Sequence, residues 1–310
     1  MNDYPWGSMS AGTASSAALR QLVVALATAL ALVGCAKKHP RVTAKARGVY
    51  EQLATRLEQA ARKQDAKEVH QACAGSAIQS CSCLRTAAKL ALDRDFHKEA
   101  LLVLDAKPAG CRVGGLMAEA LARARRLDEA EREAQAALKE NPQDRYATYA
   151  AAHVLYVRGK AGPARAEAQR AVQRGRGCAA HLLVGLLDFH GNRLQDALNS
   201  FERMRKLDSR DVAAIYNIAV VYHRQNRYRL AREEYLRALR INPRHADSRY
   251  NLVILTHGVG AQAEARHHLK KYAFLLPQDP RIPKLTALLK ETPRRRPMGQ
   301  TGPMRPGMTP

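Results

Sequence analysis

Aromatic residues are scarce: Phe, Trp and Tyr make up 5% of the 310 residues, with a single Trp. A core built on large rings is thereby excluded, and the 46% hydrophobic content, much of it alanine, has to pack through close approach of helices. Acid is scarce as well, 28 Asp and Glu against 51 Lys and Arg, which leaves a net charge of +23. Taken alone, that excess raises nucleic acid as a partner. Gly and Pro are sparse outside the C-terminal tail, which excludes long unstructured stretches inside the chain. There is no HExxH, no Gly-rich phosphate loop and no nucleophile elbow, and the adjacent His267 and His268 point to different faces of a helix. These gaps leave no catalytic residues, no metal site and no cofactor, so the chain reads as a non-enzyme.

What is present is a repeated period. With Val212 as position 1, Ile215, Ile218, Ala219 and Tyr222 fall at 4, 7, 8 and 11, while Ala231, Tyr235 and Ala238 fall at 20, 24 and 27, and Pro243 at 32. The first set forms one apolar stripe on a helix and the second set another, so Val212 to His245 is a helical hairpin. Alanine at 8 and 20 lets the two helices approach closely, Asn226 and Arg227 make the turn, and Pro243 ends the second helix. The hairpin resembles the tetratricopeptide repeat (TPR). The same register recurs from Cys111, Arg145, Cys178 and Ala246, with departures at Asp188, Thr256 and Tyr272, and more weakly from about Arg47 and from Cys81, where Pro108 cuts the unit short. The resemblance implies an all-α solenoid of about seven hairpins, because no single hairpin buries both of its faces. Two degenerate, cysteine-rich units span 47–110 and five better ones 111–279; a capping helix at 280–291 and a disordered Pro/Arg/Met tail at 292–310 complete the expectation.

The N-terminus reads as an export signal. Arg20 precedes an apolar run, Leu22 to Val33, that is too short to span a bilayer, and Leu32, Val33, Gly34 and Cys35 follow. The motif resembles the lipobox of bacterial lipoproteins; the bland alternative is a short buried helix with an incidental cysteine. The resemblance implies a signal peptide over 1–34, acylation of Cys35 with fatty acid such as palmitate, and a tether over 35–46. Ala36, Lys37 and Lys38 in place of an aspartate imply the outer membrane, with the body in the periplasm. That location removes nucleic acid as a partner. Met9 serves as the start as well as Met1 does.

Cys73, Cys81, Cys83 and Cys111 cluster around the two weakest repeats. In an oxidising compartment Cys73 would pair with Cys81 or Cys83, and Cys111 with the other, stapling hairpins that lack normal packing. A zinc site from the same four and four independent buried thiols are the alternatives; Cys178 is expected as a buried thiol at a helix start.

In TPR proteins the first helices line a groove through positions 2, 5, 6, 9 and 12. Carried onto this chain, those positions give Tyr146, Tyr149, His153 and Tyr156, then Leu182, Leu186 and Phe189. Tyr216, Asn217, Val220, His223, Tyr250, Asn251, Ile254 and His257 follow. This floor suits an extended peptide or a partner helix, and the resemblance implies that Asn217 and Asn251 hold a peptide backbone. The competing reading is that these are scaffold positions only. The whole resembles outer-membrane TPR lipoproteins of type IV pilus and gliding-motility machines, which implies a scaffold binding envelope proteins. A pilotin-like secretin assembly factor and a peptidoglycan-associated factor are the rivals, and the basic surface offers contact with anionic lipid or cell wall.

Overall fold

The computed structural model describes residues 44–59, 63–73, 80–105, 107 and 110–291. The export signal, Cys35, most of the tether, Pro108 and the tail lie outside the described residues. Those described form fifteen α-helices and no strand, and no described helix is long and apolar enough to cross a membrane. Seven antiparallel pairs follow one another. The first three are α1 (Ala44–Gln59) with α2 (Lys63–Ala72), α3 (Cys81–Asp93) with α4 (His97–Asp105), and α5 (Gly114–Arg123) with α6 (Leu127–Glu140). Next come α7 (Arg145–Val157) with α8 (Ala161–Gln173), and α9 (Cys178–His190) with α10 (Leu194–Leu207). The last pairs are α11 (Val212–Arg224) with α12 (Tyr228–Ile241) and α13 (Ala246–Gly258) with α14 (Gln262–Leu275), capped by α15 (Arg281–Leu288). The first helix begins at Ala44, three residues before the expected start, because Ala44, Lys45 and Ala46 are all good helix formers. The cap is shorter than 280–291 and buries Leu285 against the last hairpin, with Ile282, Leu288 and Leu289 beside it.

Hairpins two to seven turn in one way. Position 15 is left-handed in each, at Asp95, Arg125, Gly159, Asn192, Asn226 and Gly260, with φ between 58° and 85°. The next amide then donates back to the helix at 2.8–3.0 Å: Phe96 to Ala91, Arg126 to Leu121, Lys160 to Leu155, Arg193 to Asp188, Arg227 to Tyr222 and Ala261 to Thr256. This pattern satisfies carbonyls that the helix end would leave orphaned. Between hairpins, Asn141, Asp208 and Asn242 accept from the amide two residues on, and Asp144, Asp211 and His245 cap the next helix.

The small positions behave as the periodicity predicts. Ala118, Ala130, Ala152, Ala164, Ala219 and Ala231 are fully buried at the crossings. The fifth hairpin replaces alanine with Gly185, where an added Cβ would lie 2.4 Å from the Phe201 ring. A large side chain and a missing one are matched there. The departures also have partners. Asp188 is buried and accepts from Arg165 at 2.6 Å and Arg193 at 2.7 Å, Thr256 donates to the Leu252 carbonyl at 2.5 Å, and the Tyr272 hydroxyl donates to Asp279 at 2.6 Å. Disulfides join Cys73 to Cys83 and Cys81 to Cys111. The second runs from the start of α3 to the segment before α5. Cys178 is a free thiol at the start of α9, half-buried where full burial was expected.

Candidate functional site

The first helices of the hairpins face inward, and this inner face divides at the fourth hairpin. In the earlier part α5 packs along α7. The sequence Gly114-Gly115-Leu116-Met117-Ala118 permits it: a Cβ on Gly115 would lie 2.3 Å from the Asp144 carboxylate, which accepts from the amides of Tyr146 and Ala147 at 2.9 Å. The space left inside is filled by charge. Glu119, fully buried, accepts from Arg176 at 2.6 and 2.7 Å and from Arg123 at 2.7 Å; Arg176 also donates to Asp93 at 2.9 Å, and Arg123 to Asp95 at 3.0 Å. Both guanidiniums stack over tyrosine, Arg176 at 5.0 Å from the Tyr146 centroid and 5.6 Å from that of Tyr149, Arg123 at 5.4 Å from Tyr149. Burial works against the Arg176 charge, yet Glu119 and Asp93 outweigh it and push its pKa up. Burial also pushes the Tyr146 and Tyr149 hydroxyls up, and lowers His153 to about 4, with Arg123 and Arg125 adding to the effect.

This closure corrects part of the expected groove. Tyr149 is core, 6% exposed beneath two arginines, and offers no contact surface. His257 is buried too, its Nδ1 3.0 Å from Gln262 Nε2. Tyr146 and His153 lie in the filled part. Glu119, Arg123 and Arg176 carry no mark in the helical period, although the chain around Arg176 departs from the other hairpins. Where hairpins three and six end in Asn-Pro, hairpin four ends in Gly175-Arg176-Gly177, both glycines left-handed at φ 77° and 64°. That backbone sends the Arg176 side chain back across the inner face to α5 and α3.

From α9 onward the inner face is apolar and aromatic. Leu182, Leu186 and Phe189 are partly buried and pack on the Ala197 to Val221 core. Tyr216 stands 5.1 Å from His245 and 6.0 Å from Tyr235, ring to ring, and its hydroxyl accepts from Asn251 Nδ2 at 3.0 Å. Asn217 Nδ2 donates to the Ala213 carbonyl at 2.8 Å within its own helix. Each amide thus spends one N–H internally and keeps a second N–H and its oxygen for other partners. Val220 and Ile254 lie partly buried between these rows, and His223 packs edge-on to Tyr228 and Tyr235 at 5.8 and 6.3 Å. At the far end Arg281 stacks on Tyr250 at 4.8 Å while Asp279 accepts from its guanidinium. The hydrogen bond from Arg281 and that from Tyr272 hold the Asp279 carboxyl far below the usual range. Among the described residues no three His, Cys, Asp or Glu side chains gather as metal ligands.

The tetratricopeptide repeat family model matches residues 116–177, 185–246 and 224–280, just over half of the chain. The chain belongs to the tetratricopeptide repeat family, whose repeats are scaffolds for protein–protein interaction. Several solved structures are similar to it. The Pseudomonas aeruginosa pilF structure is 17% identical with a TM-score of 0.49, over 78% of this chain and 97% of that one. The structure of YrrB, described as a TPR protein with an unusual peptide-binding site, is 17% identical with a TM-score of 0.47, over 65% of this chain and 98% of the other. TTC0263, a TPR protein of Thermus thermophilus, is 21% identical with a TM-score of 0.47, covering 57% of this chain and 98% of its own. No curated protein matches the sequence.

Proposed function

We propose that the inner face of hairpins five to seven holds an extended peptide or a helix of a cell-envelope protein, and that acylated Cys35 tethers this scaffold to the outer membrane, facing the periplasm. The observation that carries the binding reading is the repeated Tyr–Asn pair, Tyr216 with Asn217 and Tyr250 with Asn251, set one hairpin apart with spare amide donors and acceptors. A row of such amides spaced along an apolar floor suits the alternating donors and acceptors of a peptide backbone. The tether rests on the lipobox residues Leu32 to Cys35, and the two disulfides suit an oxidising compartment. Anchoring in two dimensions raises the effective concentration of any partner in the same membrane. The machine served is one of motility or of type IV pili.

A photoreactive residue at Tyr216 in intact cells tests the binding. A discrete adduct that is lost when the residue is moved to the outward, exposed Arg229 supports the inner face. Equal labelling from both positions, or none, removes it. Cys35→Ser is expected to shift the chain from the membrane to the soluble fraction; unchanged fractionation would defeat the anchor.

A further inference from the structure

Phe274 is 85% exposed, by far the most exposed large apolar side chain described. It occupies position 29 of the seventh hairpin, where hairpins three to six carry Lys139, Gln173, Lys206 and Arg240, all polar. The fold therefore asks for a polar residue there, and the ring serves no packing purpose. Its neighbours on α14 are unusual as well. At 100° per residue Arg266, His267, Lys270, Lys271 and Phe274 fall within an arc of about 140°, with Phe274 near its middle. None of the five is buried, and the arc contains no acid. Arg266, Lys270 and Lys271 make no ion pair among the described residues, nor does exposed Lys284 on the adjoining α15. The equivalent arcs of α6, α10 and α12 each include a glutamate, Glu131, Glu202 and Glu233, and the arginines in the acid-free arc of α8 are paired, Arg165 with Asp188 and Arg170 with Glu167.

We infer that this outer face of α14 docks on an anionic phospholipid bilayer, with Phe274 inserted among the acyl chains and the surrounding cations against headgroup phosphates. A protruding aromatic ringed by lysine and arginine matches an interfacial anchor, where the ring leaves water and each cation gains from the negative surface. Occupants from the chain itself are disfavoured by charge. The tail after Thr292 carries Arg294, Arg295, Arg296 and Arg305 and no acid, the first 43 residues carry only Asp3, and a second copy would oppose the same basic arc. A protein partner would need a pocket for one projecting ring amid lysines, a residue type depleted at protein interfaces. The inference stands independently of the inner-face reading.

The full chain with Trp6→Phe and Phe274→Trp carries its only tryptophan on this face. Vesicles of phosphatidylcholine mixed with phosphatidylglycerol are expected to shift its emission to the blue, and vesicles of phosphatidylcholine alone to do so far less. An apolar leader binds both kinds alike, so the difference between them is the readout. Adding Lys270→Glu and Lys271→Glu should weaken the anionic response at least ~10-fold, and raised salt should do likewise. In the chain with its native residues, Phe274→Ala should reduce the excess binding to anionic vesicles ~10-fold. Equal response to both vesicle types, or indifference to the lysine changes, overturns the proposal. A blue shift produced by polyglutamate but not by vesicles reassigns the face to an acidic protein, and one that grows with protein concentration alone reassigns it to a second copy. Because these side chains lie at the surface, the helical circular dichroism of each variant should match the parent.

Discussion

Hairpins two to four and hairpins five to seven share one register but use their inner faces differently. In the earlier group α5 and α7 touch and Glu119, Arg123 and Arg176 fill what remains, so inward Tyr149 becomes core and Tyr146 is half-buried beneath Arg176. In the later group the equivalent Tyr216 and Tyr250 are only partly buried, Tyr216 accepting from Asn251 while Asn217 bonds within its own helix. One large core cluster takes in most buried apolar residues from Tyr50 to Val154, whereas Tyr149, Ala152 and the later ones fall into separate smaller clusters. The lesson is that a solenoid position does not fix a role; the residue across the inner face does. Disulfides and a buried ion cluster cross-link the first group, and the second carries no disulfide among the described residues.

The largest test of that division is reduction. Each disulfide is expected to contribute about 2–4 kcal/mol, so the chain with Cys73, Cys81, Cys83 and Cys111 all changed to Ser should lose most of the stability of the first hairpins. Hydrogen exchange should rise from α1 to α5 and stay nearly unchanged from α9 to α14; a uniform rise would break the comparison. Next in size is Glu119→Ala, which removes the carboxylate shared by Arg176 and Arg123, leaves them only Asp93 and Asp95, and should cost no more than about 3–5 kcal/mol in urea unfolding. Pairing Glu119→Met with Arg176→Met should recover much of it, because the desolvated charge then leaves with its partner. A small loss from Glu119→Ala alone would mean the cluster is solvated and the inner face open.

The helical hairpins, their register and their small crossing residues were legible because periodicity reports burial directly: Ala219, Ala231 and Tyr235 are core as their spacing implies. The groove was legible only in part. Tyr149 and Tyr216 sit at the same position of their hairpins, and nothing local separates them. Their fates differ through Arg176, which acts on Glu119 across 57 residues. Side chains that meet at such a separation leave no periodic trace; only the local oddity of Gly175-Arg176-Gly177 marks the place. The face around Phe274 escaped for a related reason. A single exposed ring at one register position is visible only when the other hairpins are laid beside it.

Acid should act on both halves, and His153 is the group through which it acts on the filled one. His153, next to Tyr149 and Tyr156 and facing Arg123, Arg125, Glu119 and Asp95, has its pKa lowered to about 4 from an ordinary 6.5 by burial and those arginines. The unfolded chain therefore takes up the proton first. Stability is complete above pH 6.5 and declines as pH falls toward 4, by roughly 2–3 kcal/mol from this residue. Burial lowers His181, His245 and His268 as well, so the loss has the same sign elsewhere. Comparing urea midpoints at pH 7 and pH 4.5, His153→Leu should flatten the decline; an unchanged slope would place the acid sensitivity in the other histidines.

The smallest effect concerns the turns. From the fourth hairpin onward the left-handed position holds Gly159, Asn192, Asn226 and Gly260, residues that tolerate it, while the second and third hold Asp95 and Arg125. Asp95 is engaged, accepting from Arg123 at 3.0 Å. Arg125, at φ 64° and exposed, carries the strain with no ion pair among the described residues in return. Arg125→Gly relieves the contact between Cβ and backbone but enlarges the freedom of the unfolded chain, so the net gain should be about 0.5–1 kcal/mol. Arg125→Asn avoids part of that entropy and should do at least as well. Thermal unfolding of both variants checks this. If neither raises the midpoint while Asn226→Ala lowers it, the third turn is held by the filled inner face beside it rather than by its own residue, and the contrast between the two groups of hairpins extends to their turns.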